Sequence, residues 1–181
     1  VLDGYMKTTK HDHALMALYR LAEDVGALKT SRQYIDMTQA LVIGGFGQEA
    51  ERIMKKGIGE NVFTGEDLTR ANRTLDAAKR KADAERAALP KAAAQLAAAK
   101  TGDEMAKVGE LYFSAGDYNN AAAALQKAIT KGGLSDADSA EMLLGIALKR
   151  KGDKANAMKA FDGVKDPKFA EIARLWKTAS R

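Results

Sequence analysis

Two stretches of this 181-residue sequence repeat each other at a spacing of 36, and that repetition constrains the fold more than any other feature. Gly116-Asp117-Tyr118-x-x-Ala121 returns as Gly152-Asp153-Lys154-x-x-Ala157. Downstream, Leu125 and Ala128 correspond to Phe161 and Val164. Upstream, Val108-Gly109-x-x-Tyr112 corresponds to Leu144-Gly145-x-x-Leu148, and Ile172-Ala173-x-x-Trp176 offers a third copy of that piece. Each position has a physical role in a helical hairpin. The turn glycine permits a tight reversal. The small residue after the aliphatic lets the two helices approach, the later aromatic or Leu fills the gap beside it, and the Ala lets the second helix cross the first.

The rest of the chain reads at the helical period. With 35 Ala and only 2 Pro, the composition favours helix and opposes a many-stranded β fold. Asp12 caps a predicted helix to Val25, with Leu15, Leu18, Leu21, Ala22 and Val25 on one stripe. Ser31 caps a second, with Tyr34, Ile35, Thr38, Leu41 and Val42 inward, ending at Gly44-Gly45. A third, Gln48 to Lys56, buries Ala50, Ile53 and Met54 and stops at Gly57, before a loop to Gly65. A long helix from Thr64 or Glu66 aligns Leu68, Ala71, Leu75, Ala78, Ala82 and Leu89 on one seam. Pro90 then marks a kink or a fresh start, and the pattern runs to about Lys100. Beyond it, helices are expected over 103–115, 118–131, 134–151, 154–164 and 167–178.

The repeat resembles the tetratricopeptide repeat, a helix–turn–helix unit of about 34 residues. The resemblance covers roughly Asp103–Thr178, with the last helix as a solvating cap. It departs in its period, in Leu148 at an aromatic position, and in lacking a proline after each second helix. It implies an all-α, right-handed superhelical array of antiparallel helix pairs. Residues 102–181 would form two repeats plus the cap. Residues 1–101 would be degenerate helical repeats with a long irregular insert, continuing one superhelix. Gly45-Phe46-Gly47-x-x-Ala50 echoes the turn, 71 residues before Gly116. The C-terminal half also resembles small bacterial tetratricopeptide proteins of the cell envelope, which favours the envelope or periplasm over the cytoplasm.

Candidate chemistry is sparse. With 0 Cys, disulfide scaffolds, thiolate metal sites and cysteine nucleophiles are excluded. His11 and His13 point apart on a helix and have no further His to join them, so no metal site is expected and Asp12 reads as a cap. Gly44-Gly45-Phe46-Gly47 lacks the preceding strand and the Lys of a phosphate loop, and reads as a turn. No serine lies in a Gly-x-Ser-x-Gly setting. The acid pairs Asp103/Glu104 and Asp136/Asp138 sit at helix starts, where they complement the dipole. No catalysis and no cofactor are expected.

The remaining candidate is a binding groove. In the repeat family the first helices line a concave surface that holds a peptide or a partner helix. Carried over residue by residue, that surface is Ala106, Glu110, Phe113 and Ser114, then Met142, Ile146, Lys149 and Arg150, then Ala170, Arg174 and Lys177. Phe113, Met142 and Ile146 offer apolar contacts, and the cations suit an acidic or amphipathic segment. The competing reading packs Phe113 and Ile146 between neighbouring helices. The resemblance thus implies a non-enzymatic interaction scaffold, with a homo-oligomer also compatible.

Net charge is +5. Residues 65–101 carry +3 and residues 149–181 carry +6, while 1–64 balance. Basic surfaces at 70–86 and 149–181, with Arg73, Arg80 and Lys81 on one helix face, give a second reading as a nucleic-acid-binding domain. No aromatic residue interleaves there for base stacking. A third reading is a helical domain of a larger enzyme. No apolar run is long enough to span a bilayer. Val1 in place of Met reads as a mature or trimmed product.

Overall fold

The computed structural model describes residues 12–180, and every regular element among them is helical, with no strand. The chain divides into two compact units, with the break between Ala88 and Leu89. The short helical stretch before Gly102 therefore belongs with the C-terminal repeats.

The first unit contains α1 (Asp12–Asp24), α2 (Ser31–Ile43), α3 (Gly47–Gly59) and α4 (Gly65–Ala88). Helix α1 is buried around most of its circumference from Ala14 to Ala22, while Val25, expected on its inward stripe, is about half exposed. The cap of α2 is Thr30, one residue before the expected Ser31. Its hydroxyl accepts from the Gln33 N–H while the Gln33 amide oxygen accepts from the Thr30 N–H. Ser31 instead donates to the Asp67 carboxylate at 2.6 Å, linking α2 to α4.

Gly57 does not stop α3. The helix continues to Gly59, because Gly57 is where the Tyr34 ring approaches the backbone: a Cβ there would lie 2.7 Å from Tyr34 Cδ1. Tyr34 meets Phe63 edge to face and donates its hydroxyl to Glu60 at 2.8 Å. The seam of α4 is buried at Ala71, Leu75, Ala78 and Ala82, joined by Thr74 and Glu85, with Leu68 at its exposed margin.

The second unit opens with a 3-10 turn, Leu89–Lys91, built on Pro90, and the short α5 (Ala92–Ala98). Two hairpins follow. Helices α6 (Gly102–Ala115) and α7 (Tyr118–Lys131) form the first, and α8 (Ala137–Arg150) and α9 (Lys154–Gly163) the second. Helix α10 (Pro167–Ala179) packs on α8 and α9. In both hairpins the small residue receives a large side chain from the second helix, in place of the Tyr112 and Leu148 expected beside it. A Cβ on Gly109 would lie 2.7 Å from Leu125 Cγ, and one on Gly145 would lie 2.6 Å from Phe161 Cδ1.

Three turns share one backbone pattern, in both units. Gly45, Gly116 and Gly152 have φ of 85°, 81° and 92°, the left-handed region that favours glycine. The next N–H closes each helix end: Phe46 onto Leu41 O, Asp117 onto Tyr112 O, and Asp153 onto Leu148 O, at 2.8, 2.9 and 2.9 Å. Asp117 and Asp153 then cap the following helix by accepting from the N–H of Asn120 and Asn156. Phe46 has no side-chain oxygen to do this. Glu85 of α4 supplies it, accepting from Gly47 N–H at 2.5 Å and Gln48 N–H at 2.9 Å.

Candidate interaction surface

The groove expected on the first helices is partly core. Phe113, Ser114, Met142 and Ile146 are at most 2% exposed, because α8 packs against both α7 and α9 and closes over them. These four form the packed interior, as the competing reading had it for Phe113 and Ile146. The charged members lie outside. Glu110, Lys149, Arg150 and Lys177 are partly accessible and Arg174 is exposed; of the alanines, Ala170 is exposed and Ala106 half-buried.

Most of those cations serve the unit itself. The Arg150 guanidinium lies 5.4 Å from the centroids of Phe113 and Tyr118, which meet edge to face, and donates to the Tyr118 hydroxyl at 3.0 Å. It ties the end of α8 to the α6–α7 turn. The Lys149 ammonium sits 5.0 Å over the Trp176 ring, joining α8 to α10. Trp176 stacks in turn on Phe161 of α9. Arg174 pairs with Glu171, and Lys177 with Asp162.

The acid pairs at helix starts are occupied by the backbone. Asp136 accepts from Ser139 N–H to cap α8, while Asp138 reaches over to the N–H groups of Lys165 and Asp166. Glu104 completes a capping box with Thr101, and Asp103 accepts from Ser135 N–H.

A concavity outside the expected groove opens between the second helices. It measures about 450 Å³ and runs along α8 between α7 and α9. Leu144 and Leu148 form its floor, Asn119 and Gln126 of α7 face Asn156 and Lys159 of α9, and Glu141 stands towards one end with Lys151 and Asp153 towards the other. Alanines at 122, 123 and 160 leave the space open, and this is the one trace it has in the sequence. Glu141 is half-buried. Burial, reinforced by the negative charge of Asp138, holds its carboxyl above the ordinary carboxylate range against the opposing pull of Lys165. A second concavity, about 560 Å³, lies beside α5 and α6 over Ala98, Val108 and Leu111.

In the first unit, Arg20 and Glu49 form a buried ion pair. Arg20 Nη2 lies 2.7 Å from a Glu49 oxygen, and Nε lies 3.1 Å from both oxygens. The guanidinium also stacks 4.3 Å from the Phe46 ring centroid. On α4, Arg73, Arg80 and Lys81 are exposed and make no ion pair among the described residues, whereas Lys79 pairs with Asp76 and Arg86 with Asp83 and Glu51. His11 and the Asp12 side chain lie outside the described residues. Among the described residues no three His, Asp or Glu side chains gather as a metal site, and no helix is long and apolar enough to cross a membrane. Gly44 to Gly47 is the turn between α2 and α3. Comparison with protein-family models, curated proteins and solved structures finds no match.

Proposed function

We propose that this chain is a non-enzymatic interaction scaffold of tetratricopeptide-like helical hairpins that holds a segment of a protein partner on its C-terminal unit. The observation that carries this reading is the duplicated hairpin. Gly109 against Leu125 and Gly145 against Phe161 repeat the same close approach 36 residues apart, with the same glycine turn and the same Asp–Asn cap. Repeated hairpins build a continuous face from equivalent positions, which suits an extended ligand better than a reaction centre. On the first-helix side, Glu110, Lys149, Arg150, Arg174 and Lys177 supply the accessible polar surface, over a floor packed by Phe113, Ser114, Met142 and Ile146. An acidic or amphipathic segment matches that surface.

The test uses Arg174→Glu and Lys177→Glu, whose cations pair only at the surface. The full chain is used to capture partners from nuclease-treated lysate at low and high salt. One protein retained at both salts, lost in the double variant, and a melting temperature within ~2 °C of the parent support the reading. Retention unchanged by the double variant overturns it.

A second reading rests on the exposed, unpaired Arg73, Arg80 and Lys81 of α4. Nucleic-acid binding there predicts affinity that falls steeply with salt and survives changes at Arg174 and Lys177.

A further inference from the structure

We propose that the cleft between α7, α8 and α9 is a peptide subsite, taking an extended segment of a partner protein with a basic side chain at one end, a small aliphatic one in the middle and an acidic one at the other. This deepens the scaffold reading and rests on it.

Glu141 and Lys151 give the cleft opposite charges along its length, with Lys165 attracting the first and Asp153 the second without a direct bond. Glu141 makes no hydrogen bond or ion pair among the described residues, and neither does the Lys151 ammonium. Burial and Asp138 both penalise the Glu141 charge, so a cation brought to it would favour its ionised form. Lys151, the residue that follows the last turn of α8, stands ten residues on, or ~15 Å at the rise of a helix. An extended chain covers ~13–14 Å between residues i and i+4, so a segment with opposite charges at those positions spans the two ends.

The middle of the cleft is apolar below and amide-lined at the side. Leu144 and Leu148 lie one helical turn apart on the floor and can receive one aliphatic side chain. On the α7 wall, the amides of Asn119 and Gln126 carry both donors and acceptors and make no side-chain hydrogen bond among the described residues. Such groups suit a peptide backbone, which presents both kinds. A volume near 450 Å³ lies within the range of ligand clefts. A polyanion fits poorly, since Glu141 would repel it.

The experiment titrates fluorescently labelled pentapeptides, N-acetylated and C-amidated so that only side chains are charged, into the full chain. The probes are Lys-Ala-Leu-Ala-Glu, the reversed order Glu-Ala-Leu-Ala-Lys, and the neutral Gln-Ala-Leu-Ala-Gln. One charged order should bind ~10-fold or more tighter than the neutral peptide, as a partly buried charge pair implies. Glu141→Gln should remove that advantage, and the exchange Glu141→Lys with Lys151→Glu should transfer it to the other order. Melting temperatures check that each variant is folded. Equal binding of all three peptides, indifference to Glu141→Gln in a folded variant, or equally tight binding of free lysine each overturns the subsite. If the peptides fail while the Arg174- and Lys177-dependent partner is still captured, the subsite alone is wrong. If capture fails as well, the scaffold reading falls with it.

Discussion

Phe161 lies against the backbone of Gly145 so closely that a Cβ added at Gly145 would stand 2.6 Å from its Cδ1 atom. A glycine within a helix costs ~1 kcal/mol relative to alanine, so Gly145→Ala would be stabilising if space allowed. Here overpacking against the ring outweighs that gain. Gly145→Ala is expected to destabilise by ~1–3 kcal/mol in urea unfolding. Adding Phe161→Leu, the residue type found at Leu125, should recover part of the loss, giving a double-mutant coupling above ~0.5 kcal/mol. Additive effects would mean the two residues do not meet.

Arg20→Met removes the three guanidinium bonds to buried Glu49. The expected loss is ~3–5 kcal/mol, because a charge remains where water does not reach. The double change Arg20→Met with Glu49→Leu should recover most of it. Denaturant midpoints of the two variants decide the matter.

Charge reversal at Lys149 and Arg150 should lower stability. Each cation lies over an aromatic ring, and Arg150 bonds the Tyr118 hydroxyl. Arg150→Glu is expected to cost ~1–2 kcal/mol. Arg174→Glu, at an exposed site, should leave the melting temperature nearly unchanged. The contrast separates cations that brace the unit from those free to meet a partner.

Glu141→Gln should stabilise the protein at neutral pH and make no difference in acid. The folded carboxyl titrates above its unfolded value, because burial and Asp138 disfavour the charge, with Lys165 opposing. Below the unfolded value both states are protonated and no penalty exists. As pH rises from there through the folded value, the penalty grows to its full size. Melting curves of parent and variant should therefore coincide near pH 3.5 and separate by pH 7, with the variant higher; separation in the opposite sense would contradict the burial of this group.

The hairpins were legible in the sequence because their contacts are local. Gly109 and Leu125, like Gly145 and Phe161, are 16 residues apart within one repeat, so the duplicated pattern marked all four positions, although it set Tyr112 and Leu148 beside the glycines. The groove was legible only as a list of positions. Whether Phe113 and Ile146 face solvent depends on how α8 is covered by its neighbours, and the repeat period does not carry that information. Gly57 misled for a similar reason. A glycine in a helical pattern reads as a stop, and only the Tyr34 ring from α2 shows that it is a point of close approach. Val25 and Leu68 are apolar by type yet accessible, which is common on protein surfaces. The bonds of Arg20 to Glu49 and of Glu85 to Gly47 link residues 29 and 38 apart and leave no periodic trace.

Glu85→Ala should unseat the start of α3, at a cost of ~2 kcal/mol or more, since two charge-assisted bonds are lost, one to a buried N–H and one to a half-buried one. Amide hydrogen exchange at Gly47 and Gln48 should quicken in that variant before it does elsewhere in the first unit.

The Glu85 bond also sets an order of events during synthesis. When Gln48 is joined to the growing chain, the carboxylate that will accept its hydrogen bond is still 37 residues from being added. The two later turns carry their own aspartates and can close as soon as they emerge, whereas the first must wait for most of α4. A nascent chain paused before Glu85 would hold α3 with its leading end unsecured. Helix α3, although made before α4, would thus lock into place only once Glu85 has followed it.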